Sequence, residues 1–268
     1  MQRKRVSIVI PVYNEERHLA ACLDAVAAQD LPPFEVIVVD NNSRDGSMAI
    51  ARRYPFVRVV HAAQQGIVFA RNAGFDAARG DIIARIDADI VVPRRWVAHI
   101  QQFYSGAERQ NRAWTGCGHF YNMRFPRAVT WWYELFAFRF NRLLIGHYTM
   151  WGSNMALTRT QWQAVRTHVH NRTDIHEDLD LAMHLHDEGT RIVYDRTIRT
   201  KARLKRVRTD RDKLWEYLQW WPRTLRLHRR PGWIAAWLIS ALVFYAGSYL
   251  MVITEWIARR LGRPPLPE

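Results

Sequence analysis

Apolar positions in the N-terminal third of the chain repeat with two different periods. Val6-Ser7-Ile8-Val9-Ile10-Pro11-Val12 is a short, nearly unbroken apolar run, the pattern of a parallel strand buried on both faces. Leu19, Cys22, Leu23 and Val26 then recur at i, i+3, i+4 and i+7, one face of a helix. Glu35 to Asp40 predicts a second strand, Val57 to Val60 a third, Ala70 to Ala78 a helix of small residues, and Ile82 to Ile86 a fourth strand. Strands alternating with helices predict an α/β fold, a mostly parallel sheet flanked by helices. Such sheets bind ligands beyond the carboxyl ends of their strands.

Those ends are polar and acidic. The first strand opens into Tyr13-Asn14-Glu15-Glu16, the second into Asp40-Asn41-Asn42-Ser43-Arg44-Asp45-Gly46, and the fourth into Asp87-Ala88-Asp89. Taken singly, Asp40 to Ser43 is turn and N-cap material, and an Asp-x-Asp is weak. Together they deliver carboxylates from three strand ends to one rim. That arrangement suits a nucleotide diphosphate held with a divalent cation, Mg2+ or Mn2+, because hard oxygen ligands favour these ions. Neither Gly-x-x-x-x-Gly-Lys nor Gly-x-Gly-x-x-Gly follows a strand, so a metal is expected to neutralise the phosphates.

The pattern changes near Pro231. Trp233 to Thr254 is a run of 22 residues without a formal charge. As a helix it would be about 33 Å long, against a hydrocarbon core of about 30 Å. Trp233, Trp237 and Trp256 are placed as interfacial anchors, with Arg229-Arg230 and Arg259-Arg260 outside them. Ser240, Gly247 and Ser248 dilute the apolar character, so the segment either spans a bilayer or lies on one. The expected organisation is a catalytic domain over 1–230, a transmembrane or membrane-associated helix over 231–258 and a basic tail over 259–268. A second cluster, Trp131-Trp132-Tyr133 through Phe136, Phe138 and Phe140, is broken by charges; it lies on a membrane or packs in a core.

Composition narrows the classes. With 268 residues, 49% hydrophobic and 24% charged, the chain has globular values. Cys22 and Cys117 make no disulfide framework and have no metal-knuckle spacing. Arg3-Lys4-Arg5 precedes too short an apolar run for a secretory signal. The net charge is +14, and the stretch from Arg191 to Arg230 holds 14 Lys/Arg against 4 Asp/Glu. This excess on the N-terminal side of the hydrophobic segment predicts a body on the cytoplasmic side of the cell membrane. Arg199 to Arg208 reads as a strand or helix near a membrane, holding a diphosphate or an anionic lipid, or as a solvated face. No nucleic-acid reader fold accompanies the charge, so no nucleic acid is expected. His176-Glu177 lacks the second His of a zinc-protease helix, and His184 and His186 face different sides of a helix, so zinc is not expected there. No Gly-x-Ser-x-Gly elbow occurs.

Several segments now resemble one family in order. Ile8-Val9-Ile10-Pro11-Val12-Tyr13-Asn14-Glu15, Val38 to Gly46, Ala70-Arg71-Asn72-Ala73-Gly74, Gly80-Asp81 leading to Ile86-Asp87-Ala88-Asp89, and Glu177-Asp178-Leu179-Asp180-Leu181 resemble the motifs of inverting family 2 glycosyltransferases. The resemblance implies an A-type nucleotide-sugar-binding fold. By position it places Pro11, Tyr13, Glu15, Asp40 and Arg71 along the nucleotide. Asp87 and Asp89 would face ribose, diphosphate and metal. Asp178 would be the catalytic base, with Glu177 beside it as the weaker candidate. Gly152-Ser153-Asn154-Met155 resembles the segment under the donor sugar, with Gly152 and Asn154 as binding residues. The acidic cluster also has a plain reading, as capping of a helix N-terminus.

The chemistry implied is metal-dependent hexosyl transfer from a nucleotide-diphosphate sugar to a hydroxyl, on a lipid or lipid-linked glycan of the cell envelope. Processive members carry Gln-x-x-Arg-Trp; here Gln219-Trp220-Trp221-Pro222-Arg223 has its Arg one place late and no Trp after it, so transfer of one sugar is expected. Two rivals stay open: a synthase of polyprenyl-phosphate sugars, and a catalytically silent membrane-tethered nucleotide-sugar-binding subunit.

Overall fold

The computed structural model describes residues 3–106, 111–123, 125–203, 211–242, 246 and 260. A seven-stranded sheet runs through the molecule: β1 (Val6–Val12), β2 (Glu35–Asp40), β3 (Val57–His61), β4 (Ile82–Arg85), β5 (Arg112–Phe120), β6 (Met155–Thr158) and β7 (Arg191–Ala202). Their order is β3-β2-β1-β4-β6-β5-β7. Strands β3, β2, β1 and β4 pair in parallel, as do β5 and β7, while β6 runs antiparallel to both β4 and β5. The sheet is therefore mostly parallel, and the four strands expected from the apolar runs form its parallel half.

Burial on both faces explains those runs. Ile8, Ile10, Val36, Val38, Ile82 and Ala84 point into one core. Their neighbours Val9, Ile37, Val39 and Ile83 point into the other. Alternate side chains leave a strand on opposite faces, so a strand covered on both sides must be apolar at every position. Helices α1 (Leu19–Ala27), α2 (Ser47–Ala51) and α4 (Trp96–Phe103) pack on the first face. Helices α3 (Ile67–Ala77), α7 (Arg159–Val165) and α8 (Glu177–Asp187) pack on the second. Gly74 sets how closely α3 approaches: a Cβ there would stand 2.3 Å from Val9 Cγ1 and 2.8 Å from Val39 Cγ2.

The region 126–145 is one helical stretch, α5 (Pro126–Glu134), a π-helical turn (Leu135–Phe140) and α6 (Asn141–Ile145). It resolves the aromatic cluster into two parts. Phe138 is buried and stacks on Tyr194 at 4.1 Å, whereas Trp131 and Trp132 are 55% and 53% exposed. Buried Glu134 accepts ion pairs from Arg196 and Arg199 at 2.6 Å each, so two cations of the basic stretch are spent within the fold.

Helix α9 (Arg211–Leu227) and a helix over 233–242 pack through Leu225 and Ala236 onto Ile145, Leu179 and Met183. Among the described residues no helix is long and apolar enough to cross a membrane. Most of the hydrophobic segment beyond 242, the basic tail except for 260, and 204–208 of the basic stretch lie outside the described residues.

Candidate active site

The loops after β1 and β2 are laced into one rim. Asn14 has φ 53, a left-handed conformation that Asn tolerates, and its Oδ1 accepts from the Arg44 amide at 2.8 Å. Ser47 Oγ accepts from the Glu15 amide at 2.8 Å, Glu16 Oε2 from Gly46 at 2.8 Å, and Asp45 from Glu16 at 3.0 Å. Pro11 is buried within β1, and Tyr13 is 48% exposed on the rim. Asp40 is half-buried at the end of β2; its Oδ1 caps the Ser43 amide at 2.9 Å and its Oδ2 lies 3.7 Å from His61 Nδ1. Buried Asn41 extends the tie, donating to the carbonyls of Ala62 and Gln64 and accepting from the Gly66 amide at 2.7 Å. Gly66, at φ 139, takes a conformation closed to most side chains as the chain enters α3.

Asp87 and Asp89 extend from the end of β4, and both are half-buried. The thiol of buried Cys22 is pushed well up by desolvation, and further by the charges of Asp89, Asp87 and Glu15. The rim is thus acidic from two adjacent strands. Hard carboxylate oxygens at Asp87 and Asp89 fit a Mg2+ or Mn2+ ion by donor chemistry.

Behind the rim lies a buried charge network. Arg85, at the end of β4, and Arg71, on α3, are 2% and 0% exposed. Glu177 bridges them: Oε1 accepts from Arg85 Nη1 at 2.7 Å and Oε2 from Arg71 Nη1 at 3.0 Å. Arg71 Nη1 also donates to the Glu177 carbonyl, and its Nε and Nη2 donate to Asn72. Arg71 is therefore enclosed behind Glu177 and presents no open face to the rim. Arg85 Nη2 donates to Asp87 Oδ1 at 3.0 Å, and Ser153 Oγ donates to Asp87 Oδ2. Burial lowers the pKa of Arg71, while the carboxylates of Glu177 and Asp87 outweigh desolvation at Arg85 and raise it.

Asp178 is the second residue of α8, one beyond Glu177, yet its carboxyl has different surroundings. Oδ2 accepts from the Gly152 amide at 3.2 Å and Oδ1 from the Leu179 amide at 2.8 Å. Burial first, then the charge of Glu177, pushes its pKa up to about 7, against the opposing pull of Arg85 and the two amides. Gly152 must lack a side chain, because a Cβ would lie 2.8 Å from the Arg85 guanidinium carbon. Asn154 is fully buried; its Oδ1 accepts from Trp96 Nε1 at 2.8 Å, so its side chain faces the core rather than the rim.

On its other side Asp178 forms part of the wall of an apolar cavity of about 190 Å³, with Tyr133, Phe138, Trp151, Tyr217 and Trp221. Helix α9 and the 233–242 helix supply one of its walls. Arg85 and Trp151 are residues that motif reading missed, and Ser153 stands inside a quoted motif without a role of its own. Arg85 had a visible signal, a lone cation inside the apolar run Ile82-Ile83-Ala84-Arg85-Ile86.

Comparison with known proteins accords with this geometry. The family model described as glycosyl transferase family 2 matches residues 7–162, more than half of the chain. Glycosyltransferase AglE of Haloferax volcanii is 39% identical over 99 residues, covering 34% of this chain and 33% of that protein. The undecaprenyl-phosphate 4-deoxy-4-formamido-L-arabinose transferase of Aeromonas hydrophila is 38% identical over 126 residues, covering 41% of this chain and 38% of that protein. The chain thus matches only about a third of the length of these relatives. Among solved structures, a mannosyltransferase from Pyrobaculum calidifontis in complex with GDP-Man and Mn2+ superposes with a TM-score of 0.67 at 20% identity, over 91% of this chain and 70% of that one. Glucosyl-3-phosphoglycerate synthase from Mycobacterium tuberculosis in complex with UDP gives 0.59 at 19% identity, over 85% and 81%. The fold is the A-type glycosyltransferase fold, and the chain belongs to glycosyltransferase family 2.

Proposed function

We propose that this protein is an inverting, metal-dependent transferase that moves one sugar from a nucleotide-diphosphate donor to a hydroxyl of a lipid or lipid-linked glycan. The observation that carries the reading is the position of Asp178. Its carboxyl stands between the acidic rim, reached through Gly152, Ser153 and Asp87, and an apolar cavity suited to an acceptor. Tyr13, Glu15 and Asp40 line the rim where the nucleotide would lie, with Pro11 beneath them. Arg71 acts from behind, by fixing Glu177.

A base working near neutral pH needs a pKa near neutrality, and burial supplies this at Asp178. Asp178 would take the acceptor's proton as that oxygen attacks the anomeric carbon from the face opposite the leaving diphosphate. General-base help of this kind contributes about 10²–10⁴-fold. Glu177 is held by two arginines and keeps the start of α8 in place, so we assign it positioning rather than proton transfer. Asp87 and Asp89 would hold the Mg2+ or Mn2+, which supplies charge neutralisation at the leaving diphosphate. Arg85 and Ser153 orient Asp87 for that task.

The exposed surface supports a membrane seat. Trp131, Trp132 and Leu143 are exposed, as are Ile234, Trp237, Leu238 and Leu242 on the 233–242 helix. These large apolar side chains suit the headgroup boundary of a bilayer, on its cytoplasmic side by the charge excess of 191–230. A second reading draws on the undecaprenyl-phosphate transferases among the relatives: a polyprenyl phosphate as acceptor, whose oxygen is already deprotonated and needs no base.

The test is nucleotide-diphosphate release from a panel of sugar nucleotides with membrane lipids, with and without Mg2+ or Mn2+. Metal-dependent release from one donor supports the reading. Donor binding with no turnover for any donor or lipid would leave a tethered binding subunit instead.

A further inference from the structure

Further along α8 from Glu177 and Asp178 lies a second cluster that the transfer reaction does not use. Asp180 and His184 stand one turn apart on α8. His170 comes from the connection between α7 and α8, and His228 directly follows α9. One ligand atom from each of the four residues lies within 4.8 Å of all the others. Asp180 Oδ1 is 2.6 Å from His170 Nδ1, 2.8 Å from His228 Nε2 and 3.6 Å from His184 Nε2. His184 Nε2 and His170 Nδ1 are 3.4 Å apart.

The 3.4 and 3.6 Å spacings match the edges of a coordination polyhedron, and the 2.6 and 2.8 Å pairs are hydrogen-bonded contacts that would open by about 0.5–0.7 Å as an ion replaced the shared proton. A tetrahedral ion with metal–ligand distances of about 2.0–2.1 Å sets its donor atoms about 3.3 Å apart. The charge arithmetic points the same way. Asp180 is fully buried and faces three imidazoles, which carry no charge when neutral. The His170 amide bonds Asp180 Oδ2 and the Arg71 charge acts on it from further off, and a dication where the four ligand atoms converge would balance the carboxylate directly. His170 keeps a 34% exposed side chain and gives an ion a way in, while His184 and His228 are largely covered.

We propose that His170, Asp180, His184 and His228 form a binding site for one transition-metal dication, with zinc the best match to three imidazoles and a carboxylate. The site is distinct from the oxygen-only Asp87 and Asp89 pair on the rim. Four protein ligands leave no open position, so the role is structural. The ion would pin the end of α9 and the segment before α8 onto α8. Those helices carry Tyr217 and Trp221 on one wall of the apolar cavity and Asp178 on another.

The experiment uses the full chain without a histidine tag, stripped with a chelator and titrated with Co2+ and then Zn2+. The expected result is one Co2+ per chain with the intense visible bands of tetrahedral coordination, displaced by Zn2+, and a thermal midpoint raised by Zn2+ but not by Mg2+. His184→Ala and His228→Ala should abolish the bands, and His170→Ala, at the most exposed ligand, should weaken binding by more than about tenfold. Asp89→Asn should leave the bands intact, which separates this site from the rim. If wild-type protein gives no tetrahedral bands, or if they survive in His184→Ala, the cluster is a proton-sharing network around Asp180 and the proposal fails.

Discussion

Replacing Glu177 by Gln separates the two acidic residues that begin α8. In the native structure one carboxylate accepts from Arg85 at 2.7 Å and from Arg71 at 3.0 Å, and both guanidinium groups are shut away from water. Gln keeps the shape and removes the charge, so two buried cations lose their shared counter-ion. Removing one partner of a buried ion pair costs about 3–5 kcal/mol. For a chain of this size, with about 2–4 °C per kcal/mol, the thermal midpoint should fall on the order of 10 °C. The same change removes the second-largest influence raising the Asp178 pKa, so the acidic limb of the rate profile should move to lower pH. Differential scanning calorimetry and a pH–rate profile below the new midpoint would read both effects. An unchanged midpoint would refute the counter-ion role. An acidic limb that vanishes, with turnover lost at every pH, would make Glu177 itself the base.

Other expectations follow from the same network and from the surface. The wild-type rate should rise with pH through about 7 as Asp178 loses its proton, and Asp178→Asn should remove that ionisation from the profile of any residual activity. Because the folded pKa lies above the ordinary 3.8, the folded state holds this proton more tightly than the unfolded chain does. The Asp178 contribution to stability should therefore decline between about pH 4 and 7 and be flat above, as pH-dependent denaturant unfolding of wild type against Asp178→Asn would show. Gly152→Ala places a methyl group 2.8 Å from the Arg85 guanidinium, so it should lower both the thermal midpoint and donor affinity in calorimetric titration. Trp131→Glu with Trp132→Glu should reduce co-sedimentation with anionic vesicles while leaving the midpoint unchanged, since both rings are more than half exposed.

The parallel half of the fold was legible because its strands are covered on both faces and so must be apolar throughout, as Val6 to Val12 and Val36 to Val39 are. The other half was not. β5 contains Gly116 and Gly118, β6 has four residues, and β7 alternates buried positions with arginines that pair with Glu134 or meet solvent. None of these shows an uninterrupted apolar run. At the site, the acidic motif drew attention to Glu177 and Asp178 together, but their different surroundings depend on Arg71 and Arg85, more than 90 positions away. Asn154 and Arg71 are donor contacts by motif position, and in the structure both side chains are buried, one bonded to Trp96 and the other to Glu177, partners that lie far off in sequence. The histidine cluster escaped for a related reason. Its helix residue His184 has its partners at 170 and 228, not at His186, whose ring stacks on His147.

The most direct test of the account compares Asp178→Asn with wild type in two assays on the same preparation: donor binding by calorimetric titration in the presence of Mn2+, and nucleotide-diphosphate release with a hydroxyl acceptor. The account predicts donor affinity within about twofold of wild type and a turnover loss of about 10²–10⁴-fold, the value of a general base. Turnover retained in the variant would contradict the role of Asp178 and favour a phosphate nucleophile. Loss of donor affinity would make Asp178 a binding residue rather than the base.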